Sequence, residues 1–453
     1  MRQRPKEQDK NLRRHNFDAV EENLTAEQVK AEADRCLTCK NPRCVKGCPV
    51  NIQIPEFIKA LKEDDLEKAG EVIRQTSMLP SVCGRVCPQE RQCEGNCVLG
   101  IKGEAIAIGA LERYVGDNTS AKPAQIVPSG KKVAIVGSGC AGITAASDLR
   151  KAGHEVTIFE ALHEFGGVLR YGIPPFRLPR KVLDREIENL KEMGVKFEKN
   201  VIVGKSITLK QLKEEGFDAV FICSGAGLPK MMNIPGENLN GVYSANEFLT
   251  RVNLMGANKE ESVTPLRVGK SAAVIGGGNV AMDAARTAVR VGFEKVYIVY
   301  RRTEAELPAR LEEIRHAKEE GVIFQFLHAP VEIKEKDGYV SGMRFEIMEL
   351  GEPDESGRRK PVGTGKFADL DVDTVIVALG TGPNPIIQKS AHLDGLDFEV
   401  DTKGYFVVNP ETRETSIPTI FAGGDVAPVG ASNAINAMGA GKKAAKAINE
   451  FLS

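Results

Sequence analysis

The stretch KKVAIVGSGCAGITAASDLRKAGHEVTIFE, residues 131–160, constrains this chain's fold more than any other. A buried β-branched run leads into Gly137, Gly139 and Gly142 at G-x-G-x-x-G spacing; a helix and a second strand ending at Glu160 follow. Glycines so placed permit a tight turn and close approach of the backbone to a pyrophosphate at the helix N-terminus. Glu160 stands where a carboxylate accepts both ribose hydroxyls. The pattern returns at SAAVIGGGNVAMDAARTAVRVGFEKVYIVYRR, with Gly276, Gly278 and Ala281 as G-x-G-x-x-A. Here Arg301 and Arg302 occupy the place of the acid. Guanidinium groups bind a 2′-phosphate that a carboxylate would repel, so the second site favours NADPH over NADH. Two sites with different endings imply two different dinucleotides.

Two further stretches echo each other, DAVFICSGAG (218–227) and DTVIVALGTGPN (373–384), each a strand running into glycines. TIFAGGDVAPVGASNAINAMGAGKKAAKAI adds a strand, then Gly424 and Asp425, then a glycine-rich helix start. At 453 residues the chain has room for about three domains. Lys+Arg number 61 against Asp+Glu 62, so no global field attracts nucleic acid or a membrane surface. No run of about eighteen apolar residues predicts a span, and the charged N-terminal stretch MRQRPKEQDKNLRRHNF reads as cytoplasmic.

Eight of the ten cysteines fall between Cys36 and Cys97. They form two runs, Cys36, Cys39, Cys44 and Cys48, then Cys83, Cys87, Cys93 and Cys97. A cytoplasmic chain keeps its thiols reduced, which favours metal ligation over disulfides. Zinc sites pair two tight C-x2-4-C units across a longer spacer. These near-continuous runs look closer to ferredoxin-like ligation of two 4Fe–4S clusters, with zinc and disulfides as the competing readings. Helical patterns surround them: TAEQVKAEADRCL opens on a cap at Thr25, and IPEFIKALKEDDLEKAGEVIRQT is apolar at helical spacing. The remaining pair, Cys140 and Cys223, reads as packing, and the six histidines as structural or surface.

The expected fold is α/β: an N-terminal helical iron–sulfur domain (1–125) before two Rossmann-like dinucleotide-binding domains, the second inserted into the first. The first would span 131–262 and 383–453, the second 263–382, with a linker in DNTSAKPAQIVPSG.

Taken together, CGRVCPQE, GGVLRYGIP, VYRR and AGGD resemble the flavoproteins with two dinucleotide-binding domains. The resemblance is greater to the family that holds the small (β) subunit of NADPH-dependent glutamate synthase. The same family includes the large subunit of NADH-dependent ferredoxin:NADP oxidoreductase, an electron-bifurcating enzyme, and the N-terminal half of dihydropyrimidine dehydrogenase. The resemblance implies FAD on the first motif, with Asp425 at its ribityl and phosphate region, and NADPH on the second. Gly166 and Gly167 would allow close approach to the flavin. One cluster would take Cys36, Cys39, Cys44 and Cys97. The other would take Cys48, Cys87 and Cys93, with Glu112 of IGALERY as a carboxylate where some relatives have Gln. Cys83 would be a spectator, or else the eighth ligand in place of Glu112.

Hydride would pass from NADPH to the flavin, and single electrons through the clusters to a partner. That partner is a glutamate synthase large subunit, a small FAD/2Fe–2S subunit, or ferredoxin. CKNPRCVKGCPV leans towards the ferredoxin type. No side-chain acid or base is implied. Two rivals are a flavin-dependent disulfide reductase, for which GGVLRYGIP lacks the cysteine pair, and a non-catalytic relay subunit, against which the intact second site argues.

Overall fold

The computed structural model describes residues 1–120, 126–428 and 432–453. The expected linker and the boundary at 125 lie partly outside them. In the N-terminal part, Thr25 and Gln28 form a reciprocal capping box that starts the helix Ala26–Asp34. The long helical pattern that follows divides into two helices, Ile54–Lys62 and Leu66–Arg74. The break falls at Asp64, whose φ of 58° is left-handed, and Asp65 caps the second helix through the Lys68 amide. Phe57, Ile58, Leu61 and Ile73 are buried in one core with residues of the helices Pro80–Val86 and Ile108–Asn118. Those two helices lie almost backbone to backbone. A Cβ at Gly84 would come 2.5 Å from the Arg113 amide nitrogen. This close crossing brings Cys87, at the end of one helix, towards Glu112 in the other.

Two parallel five-stranded sheets follow, with equivalent strand order. The first runs Ile420–Ala422, Ala219–Ile222, Lys132–Val136, Glu155–Glu160, Lys196–Lys199. The second runs Val242–Ser244, Thr374–Val377, Ser271–Ile275, Lys295–Tyr300, Ile323–Phe326. Because the edge strand Ile420–Ala422 returns to the first sheet after the second is complete, the second unit is an insertion. An antiparallel sheet of His328–Lys336, Tyr339–Pro353 and Arg359–Leu370 extends it, an element the sequence pattern did not announce.

The expected boundary at 263 falls too late. Val242–Ser244 is an edge strand of the second sheet, and Phe248 and Leu249 of helix Ala245–Asn253 are in that sheet's core. We propose instead that the units divide where Leu228–Pro229 pairs with Thr381–Gly382, the two chain crossings side by side.

The N-terminal helices share one continuous core with the first sheet, whereas the second sheet has its own. What fastens the second unit to the rest is ionic. Glu320 is fully buried and receives Arg13 Nε at 3.1 Å, Arg286 Nη2 at 2.8 Å and Arg290 Nη1 at 2.6 Å. Arg177, beside the first unit's Phe176, pairs with Asp283 at 2.7 Å and Glu313 at 2.9 Å. Arg310 donates to Arg85 O and Gln89 Oε1, both at 2.8 Å. Removing one partner from such a set strands buried charge. Glu320→Gln is expected to cost about 3–5 kcal/mol, read by urea unfolding. Burial alone would raise the Glu320 pKa, but its bonds to Arg290 and Arg286 lower it to about 2. Its contribution is therefore complete above the ordinary carboxylate range and is lost as pH falls towards 2, so wild type and variant should converge in that window.

Candidate functional site

The first glycine turn shows which glycines serve packing and which serve a ligand. A Cβ at Gly137 would sit 2.6 Å from the Cys223 carbonyl oxygen, and one at Gly142 would collide with the Gly137 carbonyl. A Cβ at Gly139, the N-cap of helix Cys140–Lys151, meets nothing within 4 Å. That open side, at a helix start with no side-chain cap, is room for a pyrophosphate. Glu160 is held at the adjacent strand end: its carboxylate accepts from Ser138 N at 3.0 Å, Ser138 Oγ at 2.5 Å and Leu162 N at 2.9 Å. The loop with Gly166 and Gly167 lies directly on the turn, a Cβ at Gly167 falling 3.0 Å from Gly139 Cα. A Cβ at Gly424 would come 3.3 Å from Ala141 Cβ, and Asp425 accepts from Ser432 Oγ at 2.7 Å. All eight residues expected at the first nucleotide thus gather at the C-terminal ends of its strands. Cys223 fills the turn from beneath, its sulfur 3.4 Å from the Gly137 carbonyl oxygen.

The second turn repeats this geometry. Gly276 presses on the Ala378 carbonyl, Gly278 faces open space, and Ala281 is fully buried in helix Asn279–Val291. The two arginines beyond Lys295–Tyr300 part company. Arg301 is exposed, whereas Arg302 is buried, its Nε on the Arg359 carbonyl at 2.7 Å and Nη2 on Asp354 at 2.5 Å. Arg302 thus pins the antiparallel hairpin, whereas Arg301 is exposed at the strand end.

The thiols sort into two groups that interleave the sequence runs. Cys36, Cys39, Cys44 and Cys97 line one open cavity of about 400 Å³, all four partly exposed. Burial pushes the Cys44 thiol up to about 11, with Cys97 and Cys36 as neighbours. The second group is buried: Cys48, Cys87 and Cys93 surround Glu112. Burial holds the Glu112 carboxyl up at about 8, and its Oε1 has no hydrogen-bond partner. A buried acceptor left without a partner is costly in a protein interior; here it stands among soft sulfur donors, a set that fits a metal cluster. Cys83 hydrogen-bonds the Cys87 side chain and also lies 3.5 Å from Met438 Sδ, on helix Ala434–Leu452 of the first nucleotide unit. The buried group therefore stands on the nucleotide side and the open group on the surface side. One feature escaped sequence reading: His316, expected to be structural or surface, is buried in an ionic cluster with Glu7 and Glu21, and its Nε2 is 3.3 Å from Glu7. Its partners come from a distant N-terminal strap, so no spacing announces them.

This arrangement defines a two-nucleotide oxidoreductase fused to a thiol-rich helical domain. Family models match in the same order: dihydropyrimidine dehydrogenase domain II, 4Fe–4S cluster, over residues 13–124, and pyridine nucleotide-disulphide oxidoreductase over 131–441. The chain belongs to the pyridine nucleotide-disulphide oxidoreductases and, among them, to the family of the NADPH glutamate synthase small chain. The small chain of Escherichia coli is 38% identical over 97% of this chain and 95% of its own length. The NADP(+)-dependent formate dehydrogenase subunit beta of Moorella thermoacetica is 40% identical over 90% of this chain, which spans only 60% of that protein. The NADPH-Fe(3+) oxidoreductase subunit beta of Geobacter sulfurreducens is 36% identical, over 95% of this chain and 66% of its own length. Among solved structures, Mycobacterium tuberculosis FprA in complex with NADPH gives a TM-score of 0.58 at 24% identity, covering 72% of this chain and 85% of its own. The thioredoxin reductase of T. acidophilum gives 0.52 at 20%, covering 71% and 99%. These two show the shared fold alone.

Three outcomes follow from the geometry. Arg301→Ala should weaken NADPH, but not NADH, by roughly 10- to 100-fold in KM, the worth of a charged hydrogen bond. Arg302→Ala should instead lower the melting temperature while keeping the preference. Glu112→Ala should change one of the two cluster signals in electron paramagnetic resonance and leave the other intact; two unchanged signals would remove Glu112 from the ligand set.

Proposed function

We propose that this chain is the electron-input subunit of a larger oxidoreductase, taking a hydride from NADPH and delivering single electrons to a partner protein. The observation that carries this is the placement of the two donor groups, one buried beside the first nucleotide unit and one open at the surface. Gly137, Gly139, Gly142, Glu160, Gly166, Gly167, Gly424 and Asp425 would hold FAD. Gly276, Gly278, Ala281 and Arg301 would hold NADPH. Cys36, Cys39, Cys44 and Cys97 would hold the outer 4Fe–4S cluster; Cys48, Cys87, Cys93 and Glu112 would hold the inner one, with Cys83 as a neighbour.

When bound, the flavin supplies the exchange between one two-electron transfer and two one-electron transfers. The chain's own residues position and insulate. The two glycine turns aim helix N-termini at the phosphates, Ser138 orients the Glu160 carboxylate, and the Arg13–Glu320 network holds the NADPH unit against the rest. Glu112 offers oxygen rather than sulfur, which would tune the inner site through ligand type and charge.

The full-length match to the E. coli small chain supports the glutamate synthase assignment, in which a large subunit makes glutamate from glutamine and 2-oxoglutarate. Relatives of similar identity carry names with other acceptors, formate dehydrogenase and Fe(3+) oxidoreductase among them. The acceptor is thus a property of the partner, and the ferredoxin:NADP oxidoreductase large subunit is the second reading. Ten thiols free of disulfides support a cytoplasmic setting, and among the described residues no helix is long and apolar enough to cross a membrane.

Anaerobic addition of NADPH to the purified holoprotein should bleach the flavin and then reduce the clusters; no bleaching would reduce the chain to a relay or binding subunit. Mass spectrometry of the natively bound partner should find a large chain with an amidotransferase domain. A small flavoprotein with a 2Fe–2S site would replace that assignment by the second.

A further inference from the structure

Around the open thiol cavity the surface changes character. Leu37, Val98 and Ile101 are 59%, 37% and 64% exposed, and Leu37 and Val98 line the cavity itself beside Cys36 and Cys97. Single exposed apolar side chains are ordinary, but here two of the three share the rim of one thiol-lined cavity, and such grouping marks an interaction site. Within the two cysteine segments that line it, the charges are of one sign. Between Cys36 and Cys48 the ionisable side chains other than thiols are Lys40, Arg43 and Lys46, and between Cys97 and Gly103 there is Lys102. All four are exposed, and among the described residues none of them is in a salt bridge. Other exposed cations of this domain do pair, as Arg4 with Glu104 and Lys68 with Glu71. The whole chain has a net charge of only −1, so this basic rim is a local feature.

We infer that this rim is the docking surface for an acidic electron-accepting protein, its apolar centre on Leu37, Val98 and Ile101 and its cationic ring on Lys40, Arg43, Lys46 and Lys102. An apolar centre inside a charged ring is the usual anatomy of a protein interface, and complementary charge raises the association rate in a salt-dependent way. This surface deepens the electron-input reading and rests on it: the outer donor group, half exposed, is the natural exit for electrons. The balance is simple. One NADPH gives two electrons to two one-electron acceptor molecules and leaves NADP+ and one proton.

The test uses the holoprotein with NADPH and, as probe, an acidic two-iron ferredoxin with cytochrome c as the final electron sink. Benzyl viologen, a small cationic acceptor, reports electron input without docking. The expected result is a ferredoxin-dependent rate that falls steeply between low and physiological salt. The variant Lys40→Glu/Lys46→Glu/Lys102→Glu should lose at least about tenfold in kcat/KM for ferredoxin at low salt, with viologen reduction and both cluster signals kept. If the triple variant fails to hold its clusters, Ile101→Ser and the salt dependence of the wild type decide. A wild-type rate independent of salt, or charge-reversed and Ile101→Ser proteins with unchanged kcat/KM, would overturn the docking surface. Absence of viologen reduction in the wild type would overturn the electron-input reading itself.

Discussion

One buried carboxylate holds the parts of this protein in register. Glu320 lies at the end of a helix in the inserted nucleotide unit and receives arginines from that unit and from the N-terminal strap. Buried ion pairs contribute little net stability against apolar equivalents, but their geometry is specific. The hydrophobic core joins the thiol-rich helices to the first sheet and stops there. Beyond the ionic joint, the inserted unit is held by its two neighbouring chain crossings and by bonds to backbone carbonyls, such as Asn253 to Tyr171 and Gly172. Electron transfer needs fixed separations between its stations, and directional contacts supply them where a greasy, slippable interface would not.

Burial sets the order of the stations. Burial raises the thiols of the inner group and the carboxyl of Glu112, so an empty inner site would carry little charge. Three thiols and a carboxyl facing one another in a dry interior make sense as a ligand set that gives up its protons when metal binds. The outer group keeps part of its surface in water, on the side away from the Met438 helix. A gradient from dry to wet runs from the nucleotide units to the rim of Leu37 and Ile101.

Much of this was legible in the residues because it is local. Strand, turn and helix around Gly137 and Gly276 follow from short-range rules, and the structure repeats one packing solution at both: a glycine against the carbonyl of the next strand. Thr25 and Gln28 were legible as a cap for the same reason. Three things were not. The edge strand Val242–Ser244 is too short for a periodic signal and is defined only by its partner. The antiparallel sheet around Tyr339–Pro353 and Arg359–Leu370 is rich in exposed polar residues, which blurs alternation. And the fate of Arg302 depends on Asp354 and Arg359, a hairpin away.

By itself, the sequence determined that the chain has two nucleotide-binding turns with unlike endings and a dense supply of sulfur donors near its N-terminus, since residue type and spacing suffice for each. Its resemblance to known flavoproteins also implied how those donors divide. Only the tertiary structure decided which arginine is free, which donors are buried beside the first unit, and which open to the surface. Those are outcomes of helix crossings and sheet edges between segments far apart in the chain, and no local rule encodes them.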